Sequence, residues 1–229
     1  MQFSLSLEKL RKQIAFRQAV SFYPQFRLTV NGDLMKVVAF NGSARKDGNT
    51  AILIQRVLAI LEQEGIETEF IQLAGEQIHG CTACGVCGKI QNRECKIVND
   101  NVNAYIAKMA EADGIILGSP TYFSMMTPEL KALIDRAGFV ARANGDMFKR
   151  KVGAAVVAVR RAGGIATFDA INHFFLISQM IVPGSSYWNV GVGRAKGDVE
   201  KDEEGLKTMD DLGKNMAWLI KQLKPSNTP

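Results

Sequence analysis

Four cysteines crowd into one short stretch, GCTACGVCGKIQNRECK at residues 80–96. Cys81, Cys84, Cys87 and Cys95 are all the cysteines in the chain, spaced C-x2-C-x2-C-x7-C. Thiols this close can serve four chemistries. Structural disulfides need an oxidising compartment, and nothing in the sequence signals export. Zinc takes four thiolates, but usually as two separated pairs that grip the ion from two sides. Closely spaced thiolates wrap an iron–sulfur cubane, and Gly85 and Gly88 leave backbone N–H groups free to face cluster sulfur. Four ordinary reduced thiols are the remaining reading.

Three other loops have ligand-holding composition. NGSARKDGNT, residues 41–50, joins a strand to a helix. Its backbone N–H groups and the helix N-terminus make a site for a phosphate, with polar groups from Ser43, Asn49 and Thr50 and a charged fork from Arg45. It is neither a Walker loop nor GxGxxG, and a plain turn whose polar residues cap the helix explains the same composition. GSPTYFSMMTP, residues 118–128, follows an apolar strand. Pro120 fixes the chain there, Tyr122 and Phe123 offer rings, and Met125 and Met126 read as core. VRRAGG, residues 159–164, puts Arg160 and Arg161 at a strand end before a glycine turn, where they can meet an anionic or electron-rich edge or lie in solvent. Of the two histidines, His79 reads as a surface or turn residue beside the cysteine loop and His173 as a structural residue.

These loops need a frame, and the pattern of the chain supplies one. The chain has 229 residues, 47% hydrophobic and 22% charged, which fits one globular domain. No uncharged run is long enough to span a bilayer, and the charged start MQFSLSLEKLRKQIAF does not read as a secretion signal. The net charge of +5 is mild and scattered, so no nucleic-acid partner and no membrane partner is expected. Residues 1–34 differ from the rest and read as an N-terminal extension. From residue 35 strands and helices alternate. MKVVAF, ETEFIQL, GIILGSP, KVGAAVVAV and MIVPG are the expected strands, several apolar on both faces as buried parallel strands are. The first helix buries Leu53, Val57, Ile60 and Leu61 and stops at Gly65. A helix over 102–112 faces Val102, Tyr105, Ile106 and Met109 inward. Thr127 and Pro128 start the next helix as N-cap and first-turn proline. Further helices are expected near 164–178 and over 203–223, the last with Leu206, Met209, Met216, Leu219, Ile220 and Leu223 inward. The result is a doubly wound α/β domain over 35–229, whose ligands belong beyond the carboxyl ends of the strands.

Taken together, GSARKDGNT, GSPTYF and the Lys131, Asp135, Arg136 set resemble the NADPH-dependent FMN reductase superfamily over about residues 35–185. The cysteine loop after the second strand is similar to that of its iron–sulfur flavoprotein branch. The resemblance implies a flavodoxin-like five-stranded parallel sheet of order 2-1-3-4-5. It implies FMN, with Ser43, Arg45, Asn49 and Thr50 at the phosphate. Pro120, Thr121, Tyr122, Phe123 and Ser124 would line the isoalloxazine, and the turn from Arg160 to Gly163 and Gly164 its pyrimidine edge. It also implies a [4Fe-4S] cluster on Cys81, Cys84, Cys87 and Cys95. The segments 1–34 and 185–202 have no counterpart in it.

The expected function is therefore a cytoplasmic electron-transfer oxidoreductase. It would pass electrons, from ferredoxin, through cluster and flavin to an unknown acceptor, as a homodimer or homotetramer and with no catalytic acid or base. The alternative is an NAD(P)H-dependent reductase of free flavin or a quinone, without a cluster, in which Arg160 and Arg161 meet the nicotinamide cofactor. A zinc-stabilised binding module is a third reading, and it leaves the phosphate loop unexplained.

Overall fold

The computed structural model describes residues 34–224. The extension expected over residues 1–34 lies outside the described residues, Leu34 apart. The elements run β1 (Lys36–Asn41), α1 (Asn49–Gln63), β2 (Glu67–Gln72), a short α2 (Val86–Ile90), α3 (Val102–Glu111), β3 (Gly114–Pro120), α4 (Pro128–Ala143), β4 (Val152–Val159), α5 (Gly164–Ile177), β5 (Val190–Val192), a 3-10 turn (Asp198–Lys201) and α6 (Glu203–Leu223). Every strand pairing is parallel and the order is β2-β1-β3-β4-β5, the flavodoxin-like arrangement expected.

Alternation along β1 shows why the central strands are apolar throughout. Val38 and Phe40 join the core under α3, α4 and α5. Val37 and Ala39 join the second core under α1 and α6. In β3, Ile115 and Leu117 point one way and Ile116 the other, and all three are fully buried. Each such side chain contributes about 1.5–3 kcal/mol of burial. All eight residues of β4 are buried, as a central strand of a doubly covered sheet requires.

Two expectations about elements are corrected. The last strand is Val190–Val192, not MIVPG. Ile181 makes only an isolated bridge to Val152, exchanging hydrogen bonds with Gly153 and Lys151. The ladder cannot continue past Pro183, which has no N–H to donate. Met125 and Leu223, expected in the core, are exposed. Met125 sits on a hairpin beyond the strand end, and Leu223 is the last residue of its helix. Ile60 is half-buried, while Ile54 and Leu58 complete the buried stripe of α1.

Close approach of α1 to the sheet depends on a missing side chain. A Cβ on Gly118 would lie 2.4 Å from Ile54 Cδ1 and 3.2 Å from Thr50 Cγ2. Gly118→Ala is expected to cost about 1–3 kcal/mol through overpacking, read as a lower urea midpoint with an unchanged slope. An unchanged midpoint would mean that α1 packs here with room to spare.

Candidate functional site

The first loop is shaped by the end of β1. Asn41 is fully buried; its Nδ2 donates to Gln72 Oε1 (2.7 Å) and its Oδ1 accepts from Ser43 N (3.1 Å). Ser43 Oγ then accepts from Arg45 N (3.1 Å), and Gln72 Nε2 donates to Ser43 O (2.7 Å). The loop is thus folded by its own polar groups and by β2. It delivers the chain to α1, whose N-cap Gly48 supplies no capping side chain and whose first turn has no acidic residue. The first N–H groups of α1 are therefore without a side-chain acceptor, the condition under which a helix N-terminus receives an anion.

The third loop, the one after β3, is folded just as tightly. Ser119 Oγ donates to Pro120 O (2.8 Å) and accepts from Thr127 N (3.1 Å) at the start of α4. Tyr122 and Met125 exchange backbone hydrogen bonds (2.9 and 3.0 Å) around Phe123 and Ser124. Both central residues have positive φ, +50° and +61°, the conformation of a type I′ turn in which glycine or asparagine is usual. A bulky residue here costs about 1–2 kcal/mol. The ring of Phe123 is fully exposed at the tip.

Eight of the twelve flavin residues inferred from sequence line one cleft of about 160 Å³: Ser43, Arg45, Asn49 and Thr50 from the first loop, Pro120, Thr121 and Tyr122 from the third, and Arg160 from the end of β4. Phe123, Ser124, Gly163 and Gly164 do not line it. Gly163 nonetheless abuts the third loop, since a Cβ on it would lie 2.7 Å from Ser124 Oγ and 3.3 Å from Thr121 Cγ2. Asn49 lines the cleft and is also engaged beyond it. Its Nδ2 donates to Ala195 O (2.9 Å) and its Oδ1 accepts from Gly197 N (2.9 Å), which ties α1 to the segment after β5. That segment also brings Gly193 and Arg194 into the cleft. Sequence reasoning missed them, although the Gly-Arg pair just after the last strand was the available signal.

The cysteine loop departs from expectation. Among the described residues no group of three or more His, Cys, Asp or Glu side chains could hold a metal ion, so the [4Fe-4S] cluster on Cys81, Cys84, Cys87 and Cys95 is not upheld, nor is zinc. The four thiols are free, Cys81 and Cys84 exposed and Cys87 and Cys95 half-buried. All four reach the wall of one cavity of about 150 Å³ with Lys96, Arg136 and Phe139, but their sulfurs are engaged separately. Cys81 Sγ accepts from Ala83 N (3.4 Å), and Cys95 Sγ accepts from Arg136 Nε (3.3 Å).

Arg136 closes this loop at its base. Its side chain is wholly buried and pairs with the buried Asp100 carboxylate. It also donates to Ile97 O (2.9 Å) and His79 O (3.2 Å). Asp100 in turn accepts from His79 N (3.3 Å) and Val102 N (3.2 Å), which turns the chain into α3. Burial would raise the Asp100 pKa, but the Arg136 guanidinium and the two backbone N–H groups outweigh it and hold the group below its usual range.

Fold and cleft together define a flavin-dependent oxidoreductase of flavodoxin-like architecture. The chain belongs to the NADPH-dependent FMN reductase family, whose model matches residues 35–195. It is 42% identical over 197 residues to the iron-sulfur flavoprotein MJ1083 of Methanocaldococcus jannaschii, covering 83% of this chain and 100% of that one. An iron-sulfur flavoprotein of Methanosarcina thermophila is 30% identical over 192 residues, covering 83% and 97%. Among solved structures, RosB with bound 8-demethyl-8-formylriboflavin-5'-phosphate has a TM-score of 0.65 at 20% identity, covering 85% and 82%, and shows the shared fold. Iron and sulfur appear in the relatives' names, whereas the thiols described here form no metal-binding group.

FMN, the cofactor the family implies, fits the residues present. Arg45, Arg160 and Arg194 surround the cleft and make no ion pair among the described residues. Thr121 Oγ1 is buried there without a hydrogen-bond partner. An anionic, hydrogen-bonding ligand answers both conditions.

The buried pair beneath the cysteine loop gives a pH prediction. Because the folded Asp100 pKa lies below the ordinary 3.8, its stabilisation is fully present above that value and is lost as pH falls through the folded pKa. Asp100→Asn is expected to lower stability by about 3–5 kcal/mol at neutral pH, since it leaves a buried guanidinium uncompensated. Its denaturation midpoint should also fall less steeply below about pH 4 than that of the unaltered chain. Parallel acid profiles would remove Asp100 from this role.

Proposed function

We propose that the chain is an NAD(P)H-dependent reductase that holds FMN across the carboxyl ends of β1, β3 and β4 and reduces a small acceptor such as free flavin or a quinone. The observation behind this reading is the convergence of an uncapped helix N-terminus with the unpaired Arg45, Arg160 and Arg194 around one cleft. The first N–H groups of α1, with Ser43 and Thr50, would bind the phosphate, and Arg45 would neutralise it. Pro120, Thr121 and Tyr122 would orient the ring system, and the buried Thr121 hydroxyl would hydrogen-bond to it. Gly163 and Gly164, with no side chain to obstruct, would admit its pyrimidine edge. Arg160 and Arg161 would meet the nicotinamide cofactor. FMN, when bound, supplies the hydride chemistry, and no acid or base from the protein is required for it.

The domain over 35–229 would be the working unit, as a cytoplasmic homodimer or homotetramer with small-molecule donor and acceptor. Consistent with this, no helix of the described residues is long and apolar enough to cross a membrane.

The test compares FMN with riboflavin, which lacks the phosphate. Flavin-free protein is expected to bind FMN at least tenfold more tightly than riboflavin, and Arg45→Met to lose most of that preference while leaving riboflavin affinity unchanged; fluorescence titration measures both. The FMN-loaded protein should oxidise NADPH when a quinone is supplied. Equal affinity for the two flavins in the unaltered chain would overturn the phosphate assignment, and a lack of NADPH oxidation would overturn the donor.

A further inference from the structure

The segment after β5 carries Arg194 into the flavin cleft, and its backbone is fixed there from several directions. Asn49, the first residue of α1, brackets it. Asn49 Nδ2 donates to Ala195 O (2.9 Å), and its Oδ1 accepts from Gly197 N (2.9 Å). On the other flank of Arg194, a Cβ on Gly193 would lie 2.8 Å from Asn49 Nδ2 and 2.8 Å from Val199 N. Both chain neighbours of Arg194 thus lie against the same amide side chain. Within the segment, Asp198 Oδ2 accepts from Arg194 N (3.2 Å) and Ala195 N (2.7 Å). Gly193 N donates to Val159 O (2.8 Å), which joins the segment to the end of β4. A backbone held in this way needs little ordering when a ligand arrives.

The guanidinium itself is uncommitted. Arg194 is exposed and makes no ion pair among the described residues. Carboxylates of the region are engaged elsewhere. Asp198 accepts the two backbone N–H groups and faces Lys201 at 3.6 Å, while Asp47 on the first loop pairs with Lys196. The Lys196–Asp47 pair is exposed on both sides, and such pairs contribute little. The Asn49 bracket is therefore the principal polar tie between the segment and the start of α1.

Charge decides what the arginine meets. A phosphate monoester has a second pKa of about 6, so it approaches a dianion when cations surround it. The N-terminus of α1 and the Arg45 side chain together supply about +1.5, which falls short of neutralising it. Two further arginines reach the cleft, Arg160 and Arg194. Arg160 follows β4, whose Ala158 O accepts from Thr121 N (2.9 Å) on the loop after β3. Arg194 alone is tied to the first turn of α1.

We infer that Arg194 is a second phosphate-binding residue of the flavin site, and that Asn49 acts through it as a positioning residue. Resting on the FMN reading above, this assignment makes selection for a phosphorylated flavin a joint property of the first loop and the segment after β5.

Fluorescence titration of flavin-free protein with FMN and with riboflavin tests both roles. Arg194→Met is expected to weaken FMN at least fivefold, the loss of a charge-assisted contact, and to leave riboflavin unchanged. Arg194→Lys should recover part of the loss. The FMN affinity of the unaltered chain should fall more steeply with salt than that of Arg194→Met. Asn49→Ala should weaken FMN to a similar degree with riboflavin unchanged. The double variant should bind FMN no more weakly than Arg194→Met alone, because the two residues act through one contact. An FMN preference untouched by Arg194→Met overturns the phosphate role of Arg194, and a raised KM for NADPH in that variant would give the arginine to the donor. Equal weakening of both flavins by Asn49→Ala, or losses that multiply in the double variant, overturns the positioning role. These outcomes leave the phosphate at the first loop. Equal affinity of the unaltered chain for the two flavins removes the phosphate site, and both assignments with it.

Discussion

The site depends on one crossing. At the ends of β1 and β3 the Gly42 N–H donates to Gly118 O at 2.8 Å, and a Cβ on Gly42 would lie 2.8 Å from Thr127 Oγ1 and 3.1 Å from Gly118 O. The first and third loops can therefore touch only because residue 42 is glycine. From this point α1 leaves to one face of the sheet and α4 to the other. The opening between them is the crevice in which ligands of doubly wound sheets sit. The uncapped N-terminus of α1, the hairpin at Tyr122–Met125 and the arginine at the end of β4 all take their places from this divergence.

A second constraint governs the cysteine loop. Residues 80–99 contribute no buried residue, and Cys87 and Cys95 pack against the core only partly buried, so packing alone holds them weakly. Their conformation includes left-handed backbone at Ala83, Gln91 and Arg93, which is locally unfavourable. What compensates is Arg136, whose guanidinium gathers His79, Cys95, Ile97 and Asp100 from both ends of the loop onto α4. A buried guanidinium of this kind is tolerated only when its donors are satisfied. Lys131 and Asp135, its companions in the sequence motif, merely pair on the exposed surface of α4 at 2.6 Å. Three neighbouring charged residues thus have quite different standing.

Legibility in the sequence followed the physics of each feature. The sheet was readable because a parallel strand buried on both faces must be apolar throughout, and β3 and β4 are. α4 was readable from Thr127 and Pro128, which do hold its N-cap and first-turn positions, although the Thr127 hydroxyl makes no capping hydrogen bond. β5 was misread because MIVPG has a strand's composition, while three residues of VGV carry almost no periodic signal. Leu223 and Met125 were misread because apolar character does not say whether a partner surface exists beside it.

The sequence by itself determined the first four strands, the helices that flank them and the loops that meet at the crevice and, through the family resemblance, most of the residues that line it. These rest on short-range rules: periodicity, capping, and the position of loops at strand ends. Only the tertiary structure decided that Asn49 braces the segment after β5, that Arg194 joins Arg45 and Arg160, and that Arg136 is buried beneath the thiols. It also decided that four cysteines sharing one cavity wall do not form a metal-binding group. Each of these turns on distances between groups far apart in the chain or on side-chain direction, and neither spacing nor residue type specifies those.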